Sequence, residues 1–456
     1  RWSVIEEVSQ PTSRSHGRLF LTPKGNGMQS RALFDARSQN SRINWCAIPH
    51  HGRFHLLRPV FQIMVGLGSG VHRPMIAELD LTSYFFQFTW STELAHAHTF
   101  YTHGRTYACR APVQGSALMP LVAQTTSAVL AEAPSTRAGP WEWVSSGTSI
   151  IYDNILIAGN EDDVKERWSR LLARCAEAKV VIGDTQPPCH TLVSCGLEYD
   201  VADPHNRRWR LAPTWSRKAA AWIAACRSHL SEQDRLVLAG LAQWVVSALL
   251  VPSAFVRQTL VSEHAPGEVD YLLSLLLSQS WRRLRCFPTE SPPAGATIVV
   301  TDGSGQGAGI VLEGVAYAIP WPRERPMELQ QECEWEAAAL GVERATSRVR
   351  DSAIILVADN AGLLAGLLSG NPSTHRACEL TRRIHACLEG PLWVSYVPSA
   401  DNPADAPSRS PRGMSSVPWP HPLSTLWRTS AQPAFWSFAD PRPATLQGEE
   451  KNSGGL

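Results

Sequence analysis

Six acidic residues stand where the apolar pattern predicts strand ends or a helix face: Asp80, Asp153, Asp302, Asp359 and Asp405, with Glu334 on the helix. Ile76–Leu81, I-A-E-L-D-L, reads as a strand with Asp80 near its end. Ile150–Tyr152 and Ile155–Ala158 flank the pair Asp153-Asn154, which reads as a tight β-hairpin. Ala296–Leu312 reads as strand, Gly-rich turn and strand, with Asp302 at the first strand's end. No helix follows that turn and a G-K-[ST] ending is absent, so it is not a phosphate-cradling loop. Ala353–Ala358 is a buried strand ending at Asp359-Asn360, and Val394–Arg409 is a strand running into a loop that carries Asp405. One such Asp is as readily a turn-former or an exposed exit from a sheet. In two groups, on rigid strand ends, they suit a different task. Carboxylates held that firmly can fix paired divalent ions about 3.5–4 Å apart, one at the attacking and one at the leaving oxygen of a phosphoryl transfer.

The elements that must position them follow in order. Arg18–Gly27 and Arg31–Phe34 read as a hairpin turning at Gly25-Asn26-Gly27, with Lys24, Arg31 and Arg37 on or beside it as a solvated face or a phosphate grip. Glu78 shares a face with Asp80 and reads as a solvated neighbour. Arg110–Leu130 is a turn into a helix of small residues, with Gly115 allowing close backbone approach. Asn160–Asp163 caps a helix whose Val164, Trp168, Leu171, Leu172 and Cys175 form a core stripe. Val193–Tyr199 is a short strand pair. From Arg207 an Arg/Trp-rich texture begins (Arg207, Arg208, Arg210, Arg217, Lys218), with helices at Ala219–Leu230, Glu232–Val251 and Val269–Trp281. That texture suits a nucleic-acid backbone or a helical bundle with a basic solvent face. Glu290–Ala296 is a linker. Around Glu332–Arg348 lies a helix with Trp335, Ala338 and Val342 buried and Glu334 bordering them.

Composition sets the bounds. A chain of 456 residues has room for two to four domains. A net charge of +1 leaves nucleic-acid partners open, since clustering of basic groups matters more than their sum. The ten cysteines include no C-x-x-C pair, so a zinc knuckle or disulfide framework is not indicated. No apolar run reaches about 18 residues, so no membrane partner is expected. The chain begins at Arg1 without a signal-peptide pattern and is expected to be a piece of something longer.

The ordered set of motifs resembles a reverse transcriptase over its first half. F-L-T-P-K-G-N-G…R-A-L-F-D-A-R-S-Q-N is similar to the fingers signature, with Lys24, Arg31, Asp35, Arg37 and Asn40 on matching positions. E-L-D-L-T-S-Y-F-F-Q-F is similar to the palm motif of the first catalytic aspartate, here Asp80, with Phe85 on the position of the aromatic gate that excludes a ribose 2′-OH. Q-G-S-A-L-M-P-L-V-A-Q matches the next motif at Gln114, Gly115, Pro120 and Gln124, which implies Gln114 near the incoming nucleotide. I-Y-D-N aligns with the Y-x-D-D hairpin, and S-C-G-L-E with the primer-grip strand. The last third resembles a ribonuclease H domain: T-D-G-S with Asp302, a helical glutamate (Glu334, with Glu336 as the alternative), V-A-D-N with Asp359 and V-P-S-A-D-N-P-A-D-A-P-S-R with Asp405. The middle stretch S-E-Q-D-R-L-V-L-A-G-L-A-Q-W is similar to that of retroelements with a tyrosine recombinase, which suggests the DIRS-like group or the VIPER elements of trypanosomatids.

The resemblance, which covers roughly residues 15–410, implies a multidomain α+β chain. Residues 1–204 would form right-hand fingers and palm on an antiparallel sheet, 205–290 a helical thumb and connection, and 291–410 an α/β RNase H-like domain. Residues 411–456, rich in Pro, Ser and Trp, read as a disordered or partner-docking tail. It further implies an RNA-directed DNA polymerase with RNase H activity, two Mg2+ (with Mn2+ as a substitute) at each active site, and RNA template, DNA primer, RNA–DNA hybrid and dNTPs as partners. Other retroelement-encoded domains, and a site of action in cytoplasm or nucleus, follow from the same likeness. Three departures stand out: Ile151 replaces the usual Tyr with Tyr152 displaced by one, Asn154 replaces the second aspartate, and no lysine lies near Gly183–Pro188. The alternatives are a decayed or domesticated non-catalytic nucleic-acid-binding protein, or one that keeps only the nuclease.

Overall fold

In the computed structural model, the described residues are 4–9, 17–23, 30–43, 59–68, 70–112, 114–133, 146–226, 230–261, 265–284, 291–349, 352–410, 417–418 and 424–439. The chain is mixed α+β and multidomain, with contacts dividing it into two compact units, Arg1–Cys195 and Gly196–Leu456. The described chain contains no helix long and apolar enough to cross a membrane.

The first unit is organised by a four-stranded antiparallel sheet. Its order is Thr148–Ile151, Asn154–Asn160, Pro74–Leu81, Ile182–Cys189. Side chains alternate across a strand, so Ala77, Leu79 and Leu81 face one way. They pack with Ile155, Ile157 and the stripe Val164, Trp168, Leu171 and Cys175 of helix Glu161–Glu177. That stripe follows the helical spacing of the sequence. The helix's first turn carries Glu161, Asp162 and Asp163 at the positive end of its dipole, and Lys165 and Arg170 pair with Glu161 and Glu166 four residues earlier. Ile76, Glu78 and Asp80 occupy the other face of the central strand. Glu78 is not the solvated neighbour its charge suggested. It is buried, accepting hydrogen bonds from Ser194 Oγ and from Gln186 Nε2 at 2.7 Å. Two polar partners from neighbouring chain make that burial tolerable.

The hairpin turns one residue earlier than its apolar pattern implied. Ile151 pairs with Asn154, so the two turn residues are Tyr152 and Asp153, with Tyr152 in the left-handed region at φ 56°. Asn154 is the first residue of the return strand. Outside the sheet, strands Leu19–Pro23 and Ser30–Phe34 pair antiparallel as expected. The turn at Gly25–Gly27, Lys24 and the Arg31 side chain lie outside the described residues.

The second unit holds a seven-stranded sheet. Its order is Val417–Pro418, Val315–Pro320, Gly307–Leu312, Thr297–Gly303, Ile354–Ala358, Leu392–Tyr396, Gln432–Pro433. Thr297–Gly303, Ile354–Ala358 and Leu392–Tyr396 run parallel, and the rest antiparallel. Helix Gln330–Thr346 lies on it, burying Trp335, Ala338 and Val342 as their spacing predicts. Within the same unit, helices Pro213–Cys226, Glu232–Ala248 and Pro266–Ser278 precede the sheet, close to their expected positions. Arg382 of helix His375–Cys387 ties that helical region to the sheet region, donating to Ala254 O and pairing with Glu268.

Two expectations need correction here. Arg208 and Arg210, expected in a helical region with a basic face, lie on strand Arg208–Leu211, pair with Asp200 and Glu198 across adjacent strands and lie over the Trp281 ring at 4.8 and 4.3 Å. Arg217 and Lys218 remain exposed. The presumed tail is folded over 424–439. Helix Ser424–Ser430 and strand Gln432–Pro433 lead to Trp436 and Phe438, both fully buried, and Trp436 Nε1 donates to Leu367 O at 2.7 Å. Aromatic spacing without periodicity carries no strand or helix signal, yet burying these rings outweighs the cost of ordering the chain.

If residues 424–439 belong to the fold, Trp436→Ala should lower unfolding free energy by about 3–5 kcal/mol, the usual cost of deleting a buried large aromatic. Urea melts of the full chain read this; an unchanged midpoint would contradict it.

Candidate active sites

In the first unit, antiparallel pairing sets Asp80 opposite Asn154, and Leu81 N donates to Asp153 O at 3.0 Å. The hairpin tip is therefore fastened to the end of the strand that carries Asp80. Helix Met119–Leu130 clamps the same tip. Gln124 Nε2 donates to Ile150 O and Gln124 Oε1 accepts from Tyr152 N, both at 2.9 Å, while Ser127 Oγ donates to Tyr152 O at 2.5 Å. The helix's small residues are what let it come so close. These bonds hold Tyr152, the exposed residue of the turn, in its left-handed conformation and so fix the backbone that leads into Asp153. Asn154 Nδ2 points to Asp153 Oδ1 at 3.3 Å, a weak contact that leaves the amide oxygen free of that bond.

Asp80 is half-buried, and its carboxyl is pushed up to about 6, first by burial, then by the negative charges of Asp153, Glu78 and Asp184. Uncompensated negative charge is the local problem, and a cation is its simplest remedy. Oxygen-only donors suit a hard divalent ion such as Mg2+.

Other residues expected to belong to the site act as braces. Gln114 O accepts from Phe34 N at 2.8 Å, and Asn40 bridges Gly115 O and Ala117 N, both at 2.9 Å. Gly115 has φ 126°, and a Cβ there would collide with Phe34 O, so only glycine fits. Phe85 sits in the short 3-10 turn Tyr84–Gln87 after Asp80 and packs partly against the core of the four-stranded sheet. Arg37 opens a short helix and is neutralised by Asp35 through Nε at 2.9 Å and Nη2 at 2.7 Å.

In the second unit, ligand oxygens of Asp302, Glu334 and Asp359 all lie within 4.8 Å of one another. Asp302 and Asp359 come from the ends of adjacent parallel strands. Glu334 comes from the helix, which approaches because residue 303 is glycine: a Cβ there would collide with the backbone of Cys333. Gly303 N then donates to Glu334 Oε2 at 3.2 Å. Burial and the charges of Asp302 and Asp359 push Glu334 up to about 8, and burial also raises Asp302. Ser408 Oγ donates to Asp302 Oδ2, and Asn402 Nδ2 to Asp359 Oδ1 at 3.2 Å, orienting both carboxylates.

Glu336, the alternative helical glutamate, turns elsewhere. It pairs with Arg325 at 2.9 Å and Arg376 at 3.4 Å, and those partners hold its carboxyl below the ordinary range despite burial. Asp405 opens the short helix Asp405–Arg409 rather than sitting in a loop, and it is outside the close group of three. Arg409 holds its Oδ1 through Nε at 2.8 Å and Nη2 at 2.7 Å. It remains near enough to raise Asp302. Among the described residues, the Asp302 set is the one acidic group that close; Asp80 and Asp153 do not form another with a third residue.

Three residues of these sites carry little signal in the sequence: Asp184, Ser408 and Asn402. Asp184 lies in I-G-D-T, where the only hint is the Gly before it. Ser408 and Asn402 are short polar residues beside Pro, which read simply as loop formers.

No family model and no curated protein matches the sequence. Solved structures do. A foamy viral protease-reverse transcriptase dRH in complex with double-stranded DNA is 12% identical, with a TM-score of 0.46, covering 86% of this chain and 67% of its own. The foamy viral protease-reverse transcriptase in complex with dsDNA gives 13% and 0.45, covering 87% and 80%. The same enzyme in complex with RNA/DNA hybrid gives 13% and 0.45, covering 87% of this chain and 52% of that one.

Glu334 provides a pH test. Its folded value, about 8, lies above the ordinary 4.5, so the folded state keeps a proton that the unfolded chain releases. Its contribution to stability is therefore full below pH 4.5 and is lost as pH rises to about 8. Without divalent ions, Glu334→Gln should gain on the parent by a few degrees of Tm across that window. A Tm difference independent of pH would contradict the assignment.

Proposed function

We propose that this chain is an RNA-directed DNA polymerase with ribonuclease H activity, belonging to a retroelement of the DIRS-like group. The observation that carries the reading is the pairing of Asp80 with Asn154, because it brings the Tyr152–Asp153 turn against a half-buried carboxylate. The second acidic group, Asp302, Glu334 and Asp359, supports the nuclease half.

In this reading Asp80 and Asp153 hold the cations of polymerisation, and Asp302, Glu334, Asp359 and Asp405 those of RNA cleavage. Mg2+, when bound, supplies Lewis-acid stabilisation of the transferring phosphoryl group and activates the attacking oxygen. The protein's own part is positioning. Gln124 and Ser127 hold the hairpin tip so that Asp153 is presented in one backbone conformation. Phe85, one turn beyond Asp80, would meet the sugar of an incoming dNTP, and Gln114 with Gly115 would flank it. Lys24 and Arg31 would grip its phosphates. Ser408 and Asn402 hold Asp302 and Asp359 in place for the hybrid's scissile phosphate. Arg409 would have to yield Asp405 Oδ1, while Oδ2 is not used by that ion pair. RNA template, DNA primer and RNA–DNA hybrid are the macromolecular partners of this scheme.

Asn154 favours a second reading in which the nuclease alone is active, because an amide oxygen can ligate a cation but brings no formal charge.

Primer extension on an RNA template and cleavage of a hybrid, measured on one preparation, separate these readings. Asp80→Asn should abolish extension and spare cleavage, and Asp302→Asn should do the reverse. Extension that survives Asp80→Asn removes the polymerase assignment. Asn154→Asp should raise extension several-fold if the missing charge limits activity; no gain would mean the position contributes little to metal binding.

A further inference from the structure

The strand on the far side of Asp80 from the hairpin carries an irregularity. Between Pro74–Leu81 and Ile182–Cys189, Leu79 pairs with Thr185 but Leu81 pairs with Ile182. Two residues, Gly183 and Asp184, therefore face one, Asp80. A bulge re-aims side chains locally, and bulges are common beside active sites. Glu78 pairs with Gln186 on the same face, and the Gln186–Glu78 hydrogen bond confirms which face that is.

The bulge is pressed against the carboxylate itself. A Cβ at residue 183 would lie 2.9 Å from Asp80 Oδ2 and would collide with Thr82 Oγ1, so glycine is required for the close approach. Its start is pinned: Gln87 Nε2 donates to Thr82 O at 2.7 Å and to Val181 O at 2.9 Å, while Val181 N donates to Gln87 Oε1 at 2.7 Å. The turn after Asp80 and the strand carrying Asp184 are thus one braced piece. Asp184 itself is exposed, and its charge is felt by both Asp80 and Glu78. Among the described residues no arginine or lysine pairs with its carboxylate, in contrast to Asp35, Asp200 and Asp405, each held by an arginine.

We propose that Asp184 supplies the third negative charge of the Asp80–Asp153 cation site, from the strand opposite the hairpin, in place of the charge that Asn154 lacks. This rests on the polymerase reading above. Asp80 is the middle of the arrangement, with Asn154 paired on one side and the Gly183-Asp184 bulge on the other. An ion bound at Asp80 and Asp153 would be approached by Asp184 through rotation of an exposed, unclamped side chain. Three carboxylates are thereby brought from two strands and the hairpin turn, instead of from one strand and two adjacent residues of the hairpin.

The test uses the full chain carrying Asp302→Asn and Asp359→Asn, which silences the second site, with Mn2+ binding followed by electron paramagnetic resonance without nucleotide or nucleic acid. Asp184→Asn should weaken Mn2+ binding about tenfold, the scale on which supporting groups alter metal affinity. Adding Asn154→Asp to that variant should recover most of the loss. Circular dichroism checks that each variant is folded, which an exposed position favours. If Asp80→Asn abolishes Mn2+ binding while Asp184→Asn leaves it unchanged, the inference is overturned and the polymerase reading survives. If Asp80→Asn also leaves binding unchanged, the reading of the site falls with it. Loss in Asp184→Asn without recovery by Asn154→Asp would overturn the charge-replacement account.

Discussion

Repulsion between carboxylates that the fold forces together is the constraint from which both candidate sites follow. Burial is the largest cause raising Asp80, Glu334 and Asp302, and neighbouring negative charges add to it. Left to themselves, such groups would take up protons or move apart. They cannot move apart, because each stands at the end of a strand or on a helix whose other face is packed in an apolar core. The energy that holds them is the burial of Leu79, Leu81, Ile155 and Ile157 in one unit and of Val299, Leu356, Trp335 and Val342 in the other. In the proposed function, a divalent cation at each place would offset that repulsion.

The two sites solve the approach problem by the same means. Where a carboxylate must be reached by another element, the chain has glycine at the point of contact. Gly303 admits the helix that brings Glu334, and Gly183 lies against Asp80 in the strand that brings Asp184. Short polar side chains then lock what the glycines allow. Gln124 and Ser127 fix the hairpin tip, Gln87 fixes the bulged strand, and Ser408 and Asn402 fix Asp302 and Asp359. Directional hydrogen bonds of this kind contribute modestly to stability but strongly to geometry, since each restricts an element to one register.

Strands and helices with a strong apolar period are legible in the residues themselves. The stripe on Glu161–Glu177, the strand through Asp80 and the strand–turn–strand around Asp302 lie where their spacing puts them, because one buried face imposes one period. What the spacing hides is set by partners distant in sequence. Glu78 reads as solvated until Gln186 and Ser194 arrive, and Arg208 and Arg210 read as part of a free basic face until Asp200, Glu198 and Trp281 do. The hairpin's register differs by one because Gln124 and Ser127 hold Tyr152 in a conformation that local preference would give to Asn or Gly. Trp436 and Phe438 belong to an aperiodic stretch, whose order comes from the groove they fill. Asp184 is concealed by a bulge, since a strand's pairing partner does not appear in its own residues.

Central to the proposed function is that the chain holds two separate carboxylate centres for divalent cations. Anomalous X-ray diffraction from crystals grown with Mn2+ and a primer–template duplex tests this most directly. Anomalous density beside Asp80 and Asp153, and again among Asp302, Glu334 and Asp359, is the predicted result. Well-ordered crystals showing Mn2+ bound elsewhere, with neither carboxylate centre occupied, would contradict it.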